Sequence, residues 1–278
     1  MTDKLEESKI PEYDSNPFTL SFKGFGLLID YAKGVFIAML IFGFLGIFMN
    51  VLSYIPNTSN SNDANSLNSV SISSTAKTDS IDWAVISGIA LLAIGVLVVA
   101  IAVAVLISAA YKGFIAAGAN AAIERRKITA GEAFSEMGTR FSTLFSAELS
   151  ITLRVIGGYL LFIIPGIRAQ LRYQSTSFIV MSNKDITASD AVKSSKNLYR
   201  NHLMEAFGIS TVGGLIPFIG GAIAASGMAL SVKQLTIYDK QAIATPKTHA
   251  LNYLGLIFIG FIFVFAVLIG LLVALAAN

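Results

Sequence analysis

The sequence predicts an all-α protein, a polytopic bundle of six or seven transmembrane helices with amphipathic helices along the cytoplasmic membrane surface. Hydrophobic residues make up 54% of the 278 residues. Charged residues make up 13%, about half the share found in soluble domains. The apolar residues form stretches of membrane-spanning length, and Lys and Arg gather between them. We therefore expect much of the exterior to face lipid.

The composition also excludes several kinds of site. Because the chain has no cysteine, it forms no disulfide and no zinc–thiolate site, and only His202 and His249 could supply imidazole ligands. A net charge of +3 does not favour a nucleic-acid partner. The sequence has no Walker loop, GxSxG elbow or HExxH motif. We therefore expect a protein that is not an enzyme and that uses no cofactor and no metal.

Three apolar stretches are long enough to cross a bilayer, because about 20 helical residues span its core. They are residues 34–55, 83–110 and 251–276. Four shorter apolar stretches are separated by Pro165-Gly166, by a basic segment and by Pro217. We interpret them as two tight helical hairpins that cross and return. The predicted hairpins are 147–164 with 167–182, and 203–216 with 219–238.

The distribution of Lys and Arg predicts the orientation, because cytoplasmic loops are enriched in these residues. They gather in segments 1–33, 111–146, 183–202 and 233–250, whereas segment 56–82 contains only Lys77. All four basic segments lie on the cytoplasmic side if each intervening stretch crosses an even number of times, as hairpins do. Seven spans follow, in a cell-membrane protein whose C-terminus is external.

Two regions complete the predicted domain organisation. Residues 1–33 are a polar cytoplasmic segment that ends in an amphipathic leader, and residues 34–278 form the transmembrane domain. Within that domain, residues 57–80 are rich in Ser, Asn, Thr and Asp. Such a composition buries too little apolar surface to order itself, so we expect a flexible external loop.

An internal repeat supports the same topology. Residues 128–133, Ile-Thr-Ala-Gly-Glu-Ala, recur as residues 186–191, Ile-Thr-Ala-Ser-Asp-Ala. In both copies a Thr is followed three residues later by an acid, which is typical of a capping box or a close relative of one. Three Ile-Pro pairs are predicted outer turns: Ile55-Pro56, Ile164-Pro165 and Ile216-Pro217. We interpret the chain as three hairpin units followed by a final helix.

Amphipathic leaders are predicted on the cytoplasmic side from apolar residues at helical spacing. One leader carries Phe18, Phe22, Phe25 and Ile29, and another carries Phe134, Met137, Phe141, Leu144 and Phe145. Both patterns favour helices lying in the membrane interface.

Charged residues within the predicted hairpins are the candidate site, because charges inside a membrane are costly. They are Glu148, Arg154, Arg168, Arg172 and Glu205. Arg168 and Arg172 are four residues apart and share a helix face, where guanidinium groups could bind a lipid phosphate or another anion. The alternative is that both extend to headgroups without specificity, while Arg154 pairs with Glu148 or Glu205.

One sequence pattern combines four segments. They are Ile163-Ile164-Pro165-Gly166-Ile167, the Arg-bearing helix after them, residues 186–191 and Ser194-Ser195-Lys196. The chain, over about residues 16–240, resembles the membrane-domain family of glycerophosphoryl diester phosphodiesterases, a broad prokaryotic family. The resemblance implies a six-span helical fold. It does not extend to the hydrolase domain that some relatives carry, so no hydrolase activity is implied.

Two functions are consistent with these observations. The first is a non-enzymatic accessory or scaffold protein whose partners are membrane lipids or another membrane protein, as the amphipathic leaders and the resemblance indicate. The alternative is a small-solute transporter or channel, which the repeats and broken helices favour. An intramembrane enzyme is a third hypothesis. A polar midplane cavity lined by Arg154, Glu148 or Glu205 would indicate transport, and a lateral groove would indicate binding.

Overall fold

A computed structural model describes residues 12–53 and 83–276 of the chain, and every regular element in those ranges is helical. The helices are α1 (Pro17–Tyr31), α2 (Lys33–Ser53), α3 (Trp83–Ile123), α4 (Ala130–Thr139), α5 (Phe141–Leu161), α6 (Ile163–Tyr173), α7 (Thr176–Ser182), α8 (Ala188–Leu198), α9 (Leu203–Leu215), α10 (Gly220–Lys240) and α11 (Leu254–Ala276). A short 3-10 helix, Ala250–Tyr253, precedes α11. The predicted all-α class is confirmed. The predicted loop 57–80 and the Ile55-Pro56 turn lie outside the described residues.

Side-chain caps fix where several helices begin. Thr129 forms a complete capping box at the start of α4, in which its hydroxyl accepts from the Glu132 N–H and the Glu132 carboxylate accepts from the Thr129 N–H at 2.8 Å. At the start of α8 the Thr187 hydroxyl accepts from the Asp190 N–H at 3.2 Å. The capping chemistry predicted from the two similar segments is therefore confirmed at both.

The longest helix, α3, divides into two parts with different surroundings. From Ser87 to Ile107 almost every described side chain is exposed although the segment is strongly apolar. From Gly113 to Ile123 nearly every residue is buried against other helices. The helix therefore continues past the predicted apolar stretch 83–110 and packs inside the protein. The small residues of this second part let neighbouring helices approach closely: a Cβ at Gly113 would overlap the Leu144 side chain.

Two helices are long and apolar enough to cross a membrane, α3 from Ser87 onward and α5. A third candidate is α1 combined with α2 as far as Leu45, two helices that are bent by 113° at the break between them. The six or seven predicted spans exceed this count, which covers only residues 12–53 and 83–276, and remain a prediction. The same is true of the threefold hairpin repeat.

The packed core centres on α1 and α10, which cross at two glycines. A Cβ at Gly24 would lie 2.6 Å from the Ser226 carbonyl oxygen, and one at Gly227 would lie 2.8 Å from the Ser21 Cα. α1 buries Leu20, Ser21, Gly24 and Leu28. The predicted leader stripe is its other face, on which Phe22 and Ile29 are exposed. The leader is therefore a core helix whose aromatic side faces outward.

At the two predicted hairpins α5 packs against α6 and α9 against α10, but the breaks differ in detail, and the crossing of the membrane by each pair remains a prediction. The first turn falls at Phe162, between α5 and α6, and Pro165 lies in the first turn of α6, where its missing N–H leaves no hydrogen bond unmade. The predicted returning helix 167–182 ends instead at Tyr173 and resumes as α7. The second turn is at Pro217, as predicted, with Phe218 at φ 65°.

The second predicted leader also divides. The apolar stripe from Phe134 to Phe145 was expected on one continuous helix, but α4 ends at Thr139 and α5 begins at Phe141. Met137 and Leu144 are buried, whereas Phe134 is 63% exposed. Its apolar residues therefore do not share one interfacial face.

Candidate functional site

The five residues predicted as a site lie in three separate places. Glu148 lies on the inner side of α5, and Glu205 is buried at the start of α9. The three arginines lie on α5 and α6, where Arg154 and Arg168 are exposed and Arg172 is partly buried. The structure therefore does not assemble one cluster from these charges, and each place has its own chemistry.

Glu148 forms an ion pair with Lys112 of α3. The Lys112 ammonium donates to Glu148 Oε1, and the Ser108 hydroxyl donates to the same oxygen at 2.9 Å. The Glu148 side chain is 11% exposed, whereas that of Lys112 is 45% exposed. Burial makes an unpaired carboxylate costly, so these two donors satisfy it. Lys112 retains N–H donors toward the open side, since an ammonium carries three.

A cavity of about 460 Å³ opens beside this ion pair. It lies between α3, α5, α6, α7, α9 and α10, and we name it the lateral groove. Apolar side chains of α5 and α10 form much of its walls, among them Ile151, Val155, Ala225 and Met228. Lys112 and Glu148 are part of its lining, and Arg154 and Glu205 are not. The groove is thus apolar along most of its surface and charged at one place.

Glutamine side chains provide the other polar groups of the lateral groove. Gln170 accepts from the Tyr159 hydroxyl at 3.0 Å. Gln174 donates to the Ala206 carbonyl at 3.1 Å and accepts from the Ser210 hydroxyl at 3.1 Å. Both amides are therefore engaged with neighbouring helices: Gln170 joins α6 to α5, and Gln174, which directly follows α6, joins its end to α9.

The partners of Arg154 differ from those predicted from the sequence. Arg154 donates to the Ser150 hydroxyl at 2.6 Å, and its guanidinium carbon lies 5.7 Å from the centroid of the Tyr173 ring. The expected carboxylates have other partners, because Glu148 is bonded to Lys112 and Glu205 to His202. The expectation that Arg154 pairs with either carboxylate is therefore wrong. The lipid-phosphate role of Arg168 and Arg172 stays a prediction.

A buried hydrogen-bond network surrounds Glu205, which is 1% exposed. The Tyr13 hydroxyl donates to Glu205 Oε2 at 2.6 Å, and His202 Nδ1 lies 2.9 Å from Glu205 Oε1. On the other side of the imidazole, Thr245 Oγ1 lies 3.3 Å from His202 Nε2. The carboxylate therefore has a donor on each oxygen, which offsets the cost of its burial.

The same region fastens two distant segments of the chain. The buried Asn252 side chain donates to the Ser15 carbonyl at 2.7 Å, and the His249 N–H donates to the Ser15 hydroxyl at 3.1 Å. Residues 12–16 and residues 245–252 are thus joined to each other and to the start of α9. We name this set of contacts the terminal tie.

The terminal tie should make stability sensitive to high pH. Burial first, and then the neighbouring Glu205 carboxylate, hold the pKa of the Tyr13 phenol well above its ordinary value of 10.0. Folded protein therefore keeps this proton at pH values at which the unfolded chain loses it, so stability is full below about pH 10 and falls above it.

We expect Tyr13→Phe to have two effects on stability. At neutral pH it removes a hydrogen bond to a carboxylate and lowers the free energy of unfolding by about 1.5–3 kcal/mol. Above about pH 10 the variant should lose stability less steeply than the wild type. The slope should not vanish, because burial also raises the pKa of Tyr199. Denaturation curves in detergent across this pH range measure both effects, and parallel curves would contradict the second.

Within residues 12–53 and 83–276, no group of three or more His, Cys, Asp or Glu residues is placed to hold a metal ion.

Sequence reasoning missed Lys112 and Tyr13 as partners of the buried carboxylates. Lys112 was counted among the basic residues of segment 111–146, although Ser108 and Lys112 are four residues apart and so share a helix face. That spacing indicates a polar helix face that could receive a carboxylate. Tyr13 offered no such signal, because it lies 192 residues from Glu205.

Comparison of the chain with models of known families, with curated proteins and with solved structures found no match.

Proposed function

We propose that the chain is a non-enzymatic membrane protein of six or seven spans that holds a phospholipid in the lateral groove and acts as an accessory or scaffold protein. The observation that carries the proposal is the groove itself. Its walls are mainly apolar, and the Lys112–Glu148 pair adjoins them. A phospholipid has the same division, with apolar chains joined to a charged headgroup.

In the proposed membrane orientation, Lys112 lies at the depth of the phospholipid headgroups. The exposed apolar part of α3, residues 87–107, would rise about 31 Å at 1.5 Å per residue, which is the thickness of a bilayer core. Lys112 follows just beyond this stretch, at the proposed cytoplasmic boundary. A half-exposed ammonium at that level can bind phosphate while its stem stays among apolar groups.

The proposed spans are supported by apolar side chains that no other helix covers. At the first hairpin turn Leu160, Phe162 and Ile164 are each more than two-thirds exposed. Most of the described large apolar residues of α11 are also exposed. Such surface is stable in lipid or against another membrane protein, not in water. The same surface could receive the partner protein of a scaffold. The family resemblance, with its six-span pattern, remains part of this proposal.

Filling the lateral groove tests the lipid site. We expect Val155→Trp to lose most of its copurified phospholipid, because Val155 lines the groove and a larger side chain would occupy its space. Leu153→Trp on the same helix is the matched control, since Leu153 is 62% exposed on the outer face. Native mass spectrometry in mild detergent would measure lipid retained by each variant. Equal retention by both variants and the wild type would overturn the proposal.

Charge at Lys112 provides a second arm of this experiment. Lys112→Ala should weaken phospholipid binding about tenfold or more, because it removes a charge-assisted hydrogen bond. Lys112→Arg keeps the positive charge and should retain most of the lipid. Lys23→Ala changes an exposed lysine on α1 and should have little effect. If Lys112→Arg and Lys112→Ala lost lipid equally, the headgroup role of this charge would be refuted.

Transport of a small solute is the second candidate function. The observation that favours it is the charged pair beside apolar walls, since intramembrane charges mark many solute and ion pathways. Purified protein in sealed liposomes tests this directly. If the wild type carries solute flux and Lys112→Ala abolishes it, the protein is a transporter and not an accessory protein.

A further inference from the structure

We infer a second binding site, for a ligand that carries a phosphomonoester, in a cavity of about 740 Å³ at the opposite side of α7 from the lateral groove. The cavity lies between the end of α3, α7, the connection from α7 to α8, the second half of α8, and the last turns of α10. We name it the polar cavity. Its volume is within the range of small-molecule sites, about 300–1,000 Å³.

Lysines from two separate segments converge on the polar cavity. Lys184 comes from the connection between α7 and α8, and Lys233 and Lys240 come from the last turns of α10. Two carboxylates, Glu124 and Asp239, also line it. The lining therefore carries one more positive than negative charge, and the three ammonium groups favour an anion.

Lys233 is held in position for this role. Its ammonium donates to the Ile123 carbonyl at the end of α3, at 3.2 Å. The carbonyl ends of a helix attract positive charge, so this contact fixes the ammonium at the rim. The other ammonium hydrogens remain for a ligand, since lysine has three donors.

The other side chains that line the polar cavity indicate which groups the ligand carries besides its phosphate. Neutral hydrogen-bonding side chains surround the lysines, among them Asn183, Ser194, Asn197 and Thr236. Apolar side chains such as Ile179 and Val232 also line the cavity. A small organic molecule with a phosphomonoester and further hydroxyl or amine groups matches this combination. The phosphate could be carried by a soluble molecule or by a lipid headgroup, and both have the same chemistry at the lysines.

The polar cavity is independent of the proposed phospholipid in the lateral groove. Ser177 and Phe178 of α7 line the groove, whereas Ile179 and Ser182 line the polar cavity. On α10 the groove is lined by residues up to Met228, and the cavity begins at Ala229. Experiments can therefore disprove ligand binding at one site without disproving it at the other.

Titration calorimetry of the detergent-purified chain with AMP tests the soluble ligand. We expect wild-type protein to bind AMP, and Lys184→Ala and Lys233→Ala each to weaken binding about fivefold, the effect of one solvent-exposed ion pair. Asp239→Asn should strengthen binding by a similar factor, because it removes a negative charge from the cavity. Lys193→Ala is the matched control, since Lys193 is exposed on α8 and pairs with Asp190.

Nanodiscs containing phosphatidic acid test the lipid source. If Lys184→Ala and Lys233→Ala lower the retention of phosphatidic acid and AMP does not bind, the phosphomonoester belongs to a lipid. Val155→Trp should leave AMP binding unchanged, and the two lysine substitutions should still lower phosphatidic acid retention when combined with Val155→Trp, which separates this site from the lateral groove. The inference is overturned if neither AMP nor phosphatidic acid binds, or if binding does not respond to the lysine and Asp239 substitutions.

Discussion

Glu205→Ala is expected to lower the free energy of unfolding by about 3–5 kcal/mol, the cost of removing one partner from a buried charged network. The Tyr13 hydroxyl and His202 Nδ1 both meet this carboxylate inside the protein. After truncation they would be left in a space that the smaller side chain does not fill. The terminal tie would then lose the group that joins α9 to residues 12–16.

The measurement is chemical unfolding in detergent together with limited proteolysis near Tyr13. Glu136→Ala is the control, because the Arg126–Glu136 pair is exposed, with side-chain exposures of 46% and 40%, and should contribute at most about 1 kcal/mol. Glu205→Ala should also speed cleavage near the N-terminus. Equal stability losses in the two variants would contradict the role of Glu205.

Gly24→Ala is expected to lower the free energy of unfolding by about 3 kcal/mol, because the helix crossing leaves no room for a methyl group. Its Cβ would lie 2.6 Å from the Ser226 carbonyl oxygen, a backbone atom that cannot rotate away. α1 would have to move off α10, and the buried contacts of Leu20 and Leu28 would loosen with it.

Gly26 on the same helix is the matched control. Nothing lies within 4 Å of a Cβ built at Gly26, so Gly26→Ala should raise stability by up to about 1 kcal/mol through its better helix propensity. Opposite signs for two identical substitutions two residues apart are the expected result of thermal unfolding. Destabilisation of similar size by both would show that the crossing is not tightly packed.

The local chemistry of the helices could be predicted from the sequence. Threonine followed by an acid three residues later predicts a cap wherever it occurs, and Thr129 and Thr187 both form one. Pro217 lies at a turn because it cannot continue a helix. The positions of the other breaks could not be predicted: Phe162 carries no turn signal, and the first turn of a helix tolerates Pro165.

The partners of the charged residues could be predicted only in part. Because placing a charge inside a membrane is costly, Glu148 and Glu205 could be identified from the sequence as residues that need partners. The sequence did not identify those partners, because Lys112 and Tyr13 are brought to them by helix packing over 36 and 192 residues of chain. For α1, the Phe stripe stands out in the sequence, but the sequence did not show that the opposite face, with Gly24, packs closely against α10.

The terminal tie also constrains when the protein can finish folding during its synthesis. Asn252 bonds to Ser15 across 237 residues, so the contacts of the residues that precede α1 cannot be complete until Asn252 has been synthesised. Contacts of such long sequence separation form late and slowly. Until then α1 can pack against α3 and α10, while the residues that precede it still lack the partners that residues 245–252 supply.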